Sequence, residues 1–281
     1  MTPTGVRAGG RDTVPPEERS IFALGGHEFT RKRGNEAIRD YMLALADAVE
    51  PRVCLLPTAS GDPAEQIAAF RSSLGRSPSR LSHVSLFRLE TESVDLERHL
   101  LAQDLIYVGG GSMLNLLAIW RAHGIDRVLR RCWERGIVLA GQSAGAMCWF
   151  EGGVTRSAGP ARVVEGLGFV PGILSVHYHR DDDRRRALIA RAAEGGQRGY
   201  GIDDGAGILI QGADAVAAVR ARDGAGAWIV AADGAGGAAE TELDSMPLPS
   251  PRPAIDELPD EVLELRELRR VAARRGAWSR R

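Results

Sequence analysis

The chain has 281 residues, 44% of them hydrophobic, and a formal net charge of −1. That length supports one large domain, or two small ones, with a real core. The near-zero charge offers nothing to nucleic acid or to an anionic membrane surface. Basic residues are nearly all arginine, Lys32 being the single lysine. The three cysteines, Cys54, Cys132 and Cys148, are odd in number and lack C-x-x-C spacing. This argues against a disulfide framework or a structural zinc site and for a reducing compartment. No apolar run reaches transmembrane length, so a cytoplasmic globular protein is expected.

The first residues, MTPTGVRAGGRDTVPPEERS, lack the apolar core of a signal peptide and read as a disordered lead-in over 1–18. One α/β domain is expected over 19–245. Its strand candidates are SIFALGG (20–26), RVCLLPTAS (52–60), HVSLFRL (83–89), DLIYVGGG (104–111) and GIVLAG (136–141). They read as continuous apolar runs, the mark of parallel strands buried on both faces. Helical spacing fills the gaps. NEAIRDYMLALADAV (35–49) sets Ile38, Tyr41, Met42, Leu45 and Val49 on one face, and SMLNLLAIWRAHG (112–124) ends at a glycine suited to a C-cap. The pattern predicts an open, doubly wound, mostly parallel sheet flanked by helices. A Gly-rich connection follows, then a strand-like ILSVHY (173–178), an Arg-rich helix (180–193) and the turn GIDDG. AVAAVR (215–220) and AWIVAA (227–232) fit an antiparallel hairpin on the sheet edge. Residues 246–281 read as a Pro-rich linker feeding a charged helix near 259–275.

The chemistry concentrates in GIVLAGQSAGAMCWF (136–150). Gly141-Gln142-Ser143-Ala144-Gly145 matches G-x-S-x-G where a strand meets a helix, the setting of a nucleophile elbow. Such a turn strains the serine backbone and lifts its Oγ out of the sheet. Small neighbours are needed on both sides, and the following helix aims its first amides at the same spot. The Ala144 amide is then a candidate oxyanion donor. Tyr107-Val108-Gly109-Gly110-Gly111-Ser112 is another strand end. Strand ends of a parallel sheet gather at one crevice, so Gly110 or Gly111 can supply the second donor. A phosphate loop is the rival, but it lacks the P-loop Lys and the full G-x-G-x-x-G.

A serine needs a base. His27, His83, His99 and His123 precede the elbow and read as surface or structural. After it come only His177 and His179, and on a strand both would share a face, so spacing alone does not choose. The acid that orients the imidazole is expected from Asp203 or Asp204 in GIDDG, whereas Asp181-Asp182-Asp183 reads as a helix cap. The order Ser143, His177, Asp204 differs from the Ser-Asp-His order of α/β-hydrolases.

With the motifs VGGGSMLNLL (108–117), GQSAGA (141–146), GLGFVPGILSVHYHRDDDRRR (166–186) and GIDDGAG (201–207), the chain resembles peptidase family S51, the dipeptidase E (aspartyl dipeptidase) and cyanophycinase group. The resemblance spans about residues 20–232. It implies a flavodoxin-like fold related to class I glutamine amidotransferases, with Ser in place of Cys at the elbow. It also implies Ser143 as nucleophile, His177 as base, Gly110 or Gly111 with Ala144 as oxyanion hole, and no cofactor or metal. Family members often carry Glu where Asp204 stands. The implied reaction is Asp-X dipeptide hydrolysis through an acyl-enzyme. A substrate carboxylate calls for a cation, and Arg180, Arg184, Arg185 and Arg186 lie near the expected site. A short peptide is the expected partner, and a homodimer is compatible with the sequence. A cyanophycinase-like or other acyl hydrolase, and a non-catalytic binding protein on the same scaffold, are the competing readings.

Overall fold

The structure is a computed structural model that describes residues 13–248, apart from 27–28, 30–34, 76 and 92–94. Contacts divide the chain into Met1–Leu248 and Pro249–Arg281. The second unit, with the helix expected near 259–275, lies outside the described residues, as does His27.

Fourteen strands and seven α-helices alternate along the described chain. The first half runs β1 (Ser20–Leu24), α1 (Glu36–Ala44), β2 (Arg52–Leu56), α2 (Ala64–Leu74), β3 (Arg80–His83), α3 (Leu96–Leu101), β4 (Leu105–Val108), α4 (Met113–His123), α5 (Ile125–Glu134), β5 (Val138–Gln142) and α6 (Ala144–Met147). The second half adds β6 (Phe150–Thr155), β7 (Arg162–Glu165), β8 (Val170–Val176), α7 (Asp182–Ala193), β9 (Gly199–Ile202), β10 (Ala206–Gln211), β11 (Asp214–Arg220), β12 (Ala227–Ala232), β13 (Ala238–Glu242) and β14 (Ser245–Pro247). One sheet has the order β14-β11-β10-β1-β5-β4-β2-β3, the other β13-β12-β9-β8-β6-β7.

The parallel centre of the larger sheet is β1-β5-β4-β2-β3. Along β1, Ile21 and Ala23 enter one core with Ile106, Leu139, Trp120 and Leu129, while Phe22 and Leu24 enter the opposite core with Ile38, Met42 and Phe70. Both faces are therefore dry, which is why these strands carry no polar alternation. Helix α4 begins on the Ser112 hydroxyl, which accepts the Asn115 amide, and ends on Gly124 in the left-handed conformation.

Several expectations are corrected. The apolar stretch 83–89 is not a strand: β3 pairs with β2 only as far as His83, and Leu86–Thr91 turns into 3-10 helix. Val84 and Leu86 are both buried there, and the Val84 amide makes a last bond to the Leu55 carbonyl of β2 at 3.0 Å. Helix α1 stops at Ala44, Asp47 turns the chain with φ 46°, and Val49 is 92% exposed instead of joining the buried face. AVAAVR and AWIVAA do not pair with each other: β11 forms an antiparallel hairpin with β10, inside the edge strand β14, and Ala227–Ala232 pairs with β9 and with β13, an edge strand of the other sheet. Both stretches satisfy strand propensity, and only tertiary pairing decides the partner. Part of the stretch read as a lead-in has regular contacts: the Val14 amide donates to the Glu134 carbonyl at 2.7 Å, and Pro16–Glu18 forms a 3-10 turn. Ser245–Pro247, read as linker from residue 246, is a strand parallel to β11, and Leu248 is buried.

Candidate active site

Ser143 closes β5 and opens α6 with φ 52° and ψ −117°, a conformation uncommon for a residue with a side chain. Its surroundings over-determine it. Its amide donates to the Leu24 carbonyl, and its carbonyl accepts from the Ala146 and Met147 amides, all within 3.1 Å. Next to it, a Cβ on Gly145 would lie 2.3 Å from the Val108 carbonyl oxygen, so only glycine lets α6 rest on the end of β4. Gln142 is buried under the elbow, its side-chain carbonyl accepting from the Tyr107 hydroxyl at 2.8 Å and the Phe29 amide at 3.2 Å.

His177 does not continue a strand. β8 ends at Val176, and His177 itself takes φ 56°. The Tyr178 amide donates to Ile202, and the Arg180 and Asp181 amides donate to the His177 carbonyl. The turn sends the two histidines different ways, which the alternation of a strand does not anticipate. His177 Nε2 stands 3.1 Å from Ser143 Oγ, and its Nδ1 makes a short hydrogen bond with Asp204. His179 goes to Asp203, which accepts its backbone amide at 2.9 Å, lies 3.3 Å from its ring, and also accepts from Gly226. Asp203 is 5% exposed and fully engaged in this bracing. Adjacent carboxylates thus take separate histidines.

Gly110 lies beside the serine: a Cβ there would be 3.3 Å from Ser143 Cβ. The Gly110 and Gly111 amides donate to no protein carbonyl among the described residues. The Ala144 amide belongs to the first turn of α6, where it has no intrahelical acceptor.

Beside His177 opens a cavity of about 550 Å³, lined also by Arg156, Arg180, Asp181, Asp182, Asp183 and Arg186. Arg180 is two-thirds exposed and donates to the Asp204 oxygen that faces away from the imidazole, at 3.0 Å. Asp181 caps α7 as expected, accepting from the Arg184 amide. Burial alone would raise its carboxyl, but that bond and the charges of Arg184 and Arg156 hold it below the usual range. Arg184 is not a cavity residue. It runs beneath, donating to the Val154 carbonyl at 3.2 Å and reaching Met147 in α6, and burial lowers its basicity. Arg185 also turns away: it clamps Glu240 and holds that carboxyl below its ordinary range. Arg186 pairs with Asp183 at the cavity rim.

Three contributors escaped sequence reasoning. Arg156, in the connection after β6, lines the cavity and pairs with Asp181. Gln142 fills the elbow from below. Gly26 follows β1, and a Cβ on it would sit 2.3 Å from His177 Cε1 and 2.7 Å from Asp204 Oδ1. Gly-Gly at the end of a central strand was the available signal, because such ends line the crevice. Among the described residues no group of three or more His, Cys, Asp or Glu side chains could hold a metal ion, and no helix is long and apolar enough to cross a membrane.

Fold and site together define a doubly wound α/β protein with a serine at a strained strand-to-helix turn. The family model for peptidase family S51 matches residues 21–218, and the chain belongs to that family of peptidases. It is 40% identical over 234 residues to the uncharacterized peptidase YgaJ of Bacillus subtilis (strain 168), covering 82% of this chain and 97% of that one. Two solved structures share the fold. One is a peptidase from an acI-B1 Actinobacterium, with TM-score 0.54 and 17% identity over 80% of this chain and 94% of the other. The second is a peptidase E protein of Listeria monocytogenes EGD-e, with TM-score 0.55 and 19% identity over 72% of this chain and 98% of the other.

Proposed function

We propose that the protein is a serine peptidase of short peptides, an Asp-X dipeptidase, in which Ser143, His177 and Asp204 act as nucleophile, base and orienting acid. The observation that carries this reading is the 3.1 Å approach of Ser143 Oγ to His177 Nε2, with Asp204 on the other ring nitrogen. His177 takes the Ser143 proton as Oγ attacks the scissile carbonyl carbon. The carbonyl oxygen gains the negative charge and is met by the amides of Ala144 and of Gly110 or Gly111. Such a donor contributes on the order of 3–4 kcal/mol in the transition state. His177 then gives the proton to the leaving amine, the C–N bond breaks, and an acyl-enzyme remains. Water repeats the cycle and releases the acid. Asp204 keeps Nδ1 protonated, so Nε2 is the acceptor facing Ser143.

A cavity of about 550 Å³ suits a dipeptide, and its charges of both signs suit a zwitterion carrying an extra carboxylate. Of the four arginines expected near the site, Arg180 and Arg186 are favoured by position, joined by Arg156. The test is hydrolysis of Asp-X dipeptides and aspartyl anilides beside matched neutral substrates, with Ser143→Ala as control. Cleavage of neutral but not aspartyl substrates would keep the peptidase and discard the specificity. Activity surviving in Ser143→Ala would discard the nucleophile.

A further inference from the structure

Asp204 meets His177 and Arg180 at once. One oxygen takes His177 Nδ1, and the other accepts from Arg180 Nη1 at 3.0 Å. The two partners differ in freedom. The side chain of His177 is 16% exposed, that of Asp204 11% and that of Arg180 66%. An exposed ion pair of this kind is weakly held. Arg180 also lines the cavity that holds His177, so one side chain touches both the Asp204 carboxylate and the space open to a ligand. The other two cavity arginines are occupied elsewhere, Arg156 with Asp181 and Asp183, and Arg186 with Asp183.

We infer that Arg180 is a substrate-released brake on the His177–Asp204 pair: in the empty site it holds the Asp204 carboxylate, and the carboxylate of an acidic substrate draws it away. The inference rests on the serine-peptidase reading of the site. When His177 takes the Ser143 proton it becomes a cation, stabilised by Asp204. A guanidinium on the same carboxylate, close to the same ring, opposes that charge. A bound carboxylate supplies Arg180 with another partner in bidentate reach, and Arg180 then no longer shares the Asp204 carboxylate with His177. Substrate binding energy is thereby realised in the transition state and not only in the ground state. The preference for an acidic substrate is expected in kcat as well as in KM.

The experiment compares wild type, Arg180→Gln and Arg180→Lys in the full chain. Each is measured on aspartyl and alanyl p-nitroanilides and for the rate at which a neutral fluorophosphonate labels Ser143. In Arg180→Gln the alanyl kcat and the labelling rate should rise about 3- to 10-fold, while aspartyl kcat/KM falls at least about tenfold. Arg180→Lys, which keeps the charge without the fork, should raise the alanyl kcat and the labelling rate less than Arg180→Gln does. A simple substrate-binding role lowers only the aspartyl rate, and a purely structural clamp lowers both; either result overturns the brake. If the wild type labels but cleaves neither anilide, the aspartyl-dipeptidase reading falls, and the labelling ratio of Arg180→Gln to wild type decides the brake by itself. If Ser143 does not label at all, both readings fall.

Discussion

Ser143 and His177 meet at 3.1 Å, yet they stand on different kinds of ground. The serine comes from one continuous stretch at the centre of the parallel sheet, wrapped by residues with no exposed surface, including Ala144, Ala146, Cys148 and Trp149. Its geometry is locked by backbone approach, as Gly145 on the Val108 carbonyl illustrates. The histidine comes from a turn between β8 and α7, and its acid from a turn between β9 and β10. That half borders an open cavity and is held by side-chain hydrogen bonds and charges, among them Asp203 with His179 and Arg180 with Asp204. Packing builds the serine half and makes it rigid. Polar contacts build the histidine half and leave it adjustable by substitution.

The most severe way to sharpen this contrast is Ser143→Ala. Activity on any substrate of the wild type should fall on the order of 10⁵- to 10⁶-fold, with the thermal midpoint nearly unchanged, because only one hydroxyl is removed. Next comes the neighbouring pair of acids. Asp204→Asn should lower kcat about 10⁴-fold, since an amide favours the wrong imidazole tautomer. Asp203→Asn loses bracing hydrogen bonds and should cost about 1–2 kcal/mol of stability with a far smaller kinetic effect. Equal kinetic losses would dissolve the division of labour between the two carboxylates. Denaturant titration beside steady-state kinetics reads both.

The same glycine-to-alanine change separates the halves directly. Gly145→Ala drives a methyl into backbone at 2.3 Å and should destabilise the fold by about 3 kcal/mol or more. Gly26→Ala meets the His177 and Asp204 side chains, which can shift. It should lose about 10²-fold in kcat, with less than about 1.5 kcal/mol of stability. If both variants merely unfold, the histidine half is as rigid as the serine half.

The effect confined to alkaline conditions concerns pH. Burial pushes the thiols of Cys54, in β2, and Cys132, in α5, up to about 12. In the unfolded chain a thiol loses its proton near its ordinary value of 9.0. Above that pH the unfolded state binds fewer protons than the native one, so stability falls as pH rises. The contribution is fully present below pH 9 and is lost between 9 and 12, at up to about 1.4 kcal/mol per pH unit per thiol. Urea titrations at pH 8, 9.5 and 10.5 should show the fall, and Cys54→Ala should flatten its slope. The same thiols should resist neutral-pH thiol reagents in the native protein.

The amino-acid sequence by itself determined the parallel α/β core and the elbow. Strands buried on both faces must be apolar throughout, and a serine at a sharp strand-to-helix turn must have glycines beside it. These are local demands written in adjacent letters, legible at 136–150 and in the Gly124 cap. The tertiary structure alone decided the rest, because it depends on contacts between distant segments. AWIVAA satisfies strand propensity beside either neighbour, and only the three-dimensional pairing sends it to β9. HYHR could continue a strand, and only the left-handed turn at His177 separates the two histidines. Neither letter of Asp203-Asp204 differs from the other; the β9–β10 turn aims one carboxylate at His179 and the other at His177. Arg156 and Gly26 come to the site from loops far away in sequence, through sheet order and not through any motif.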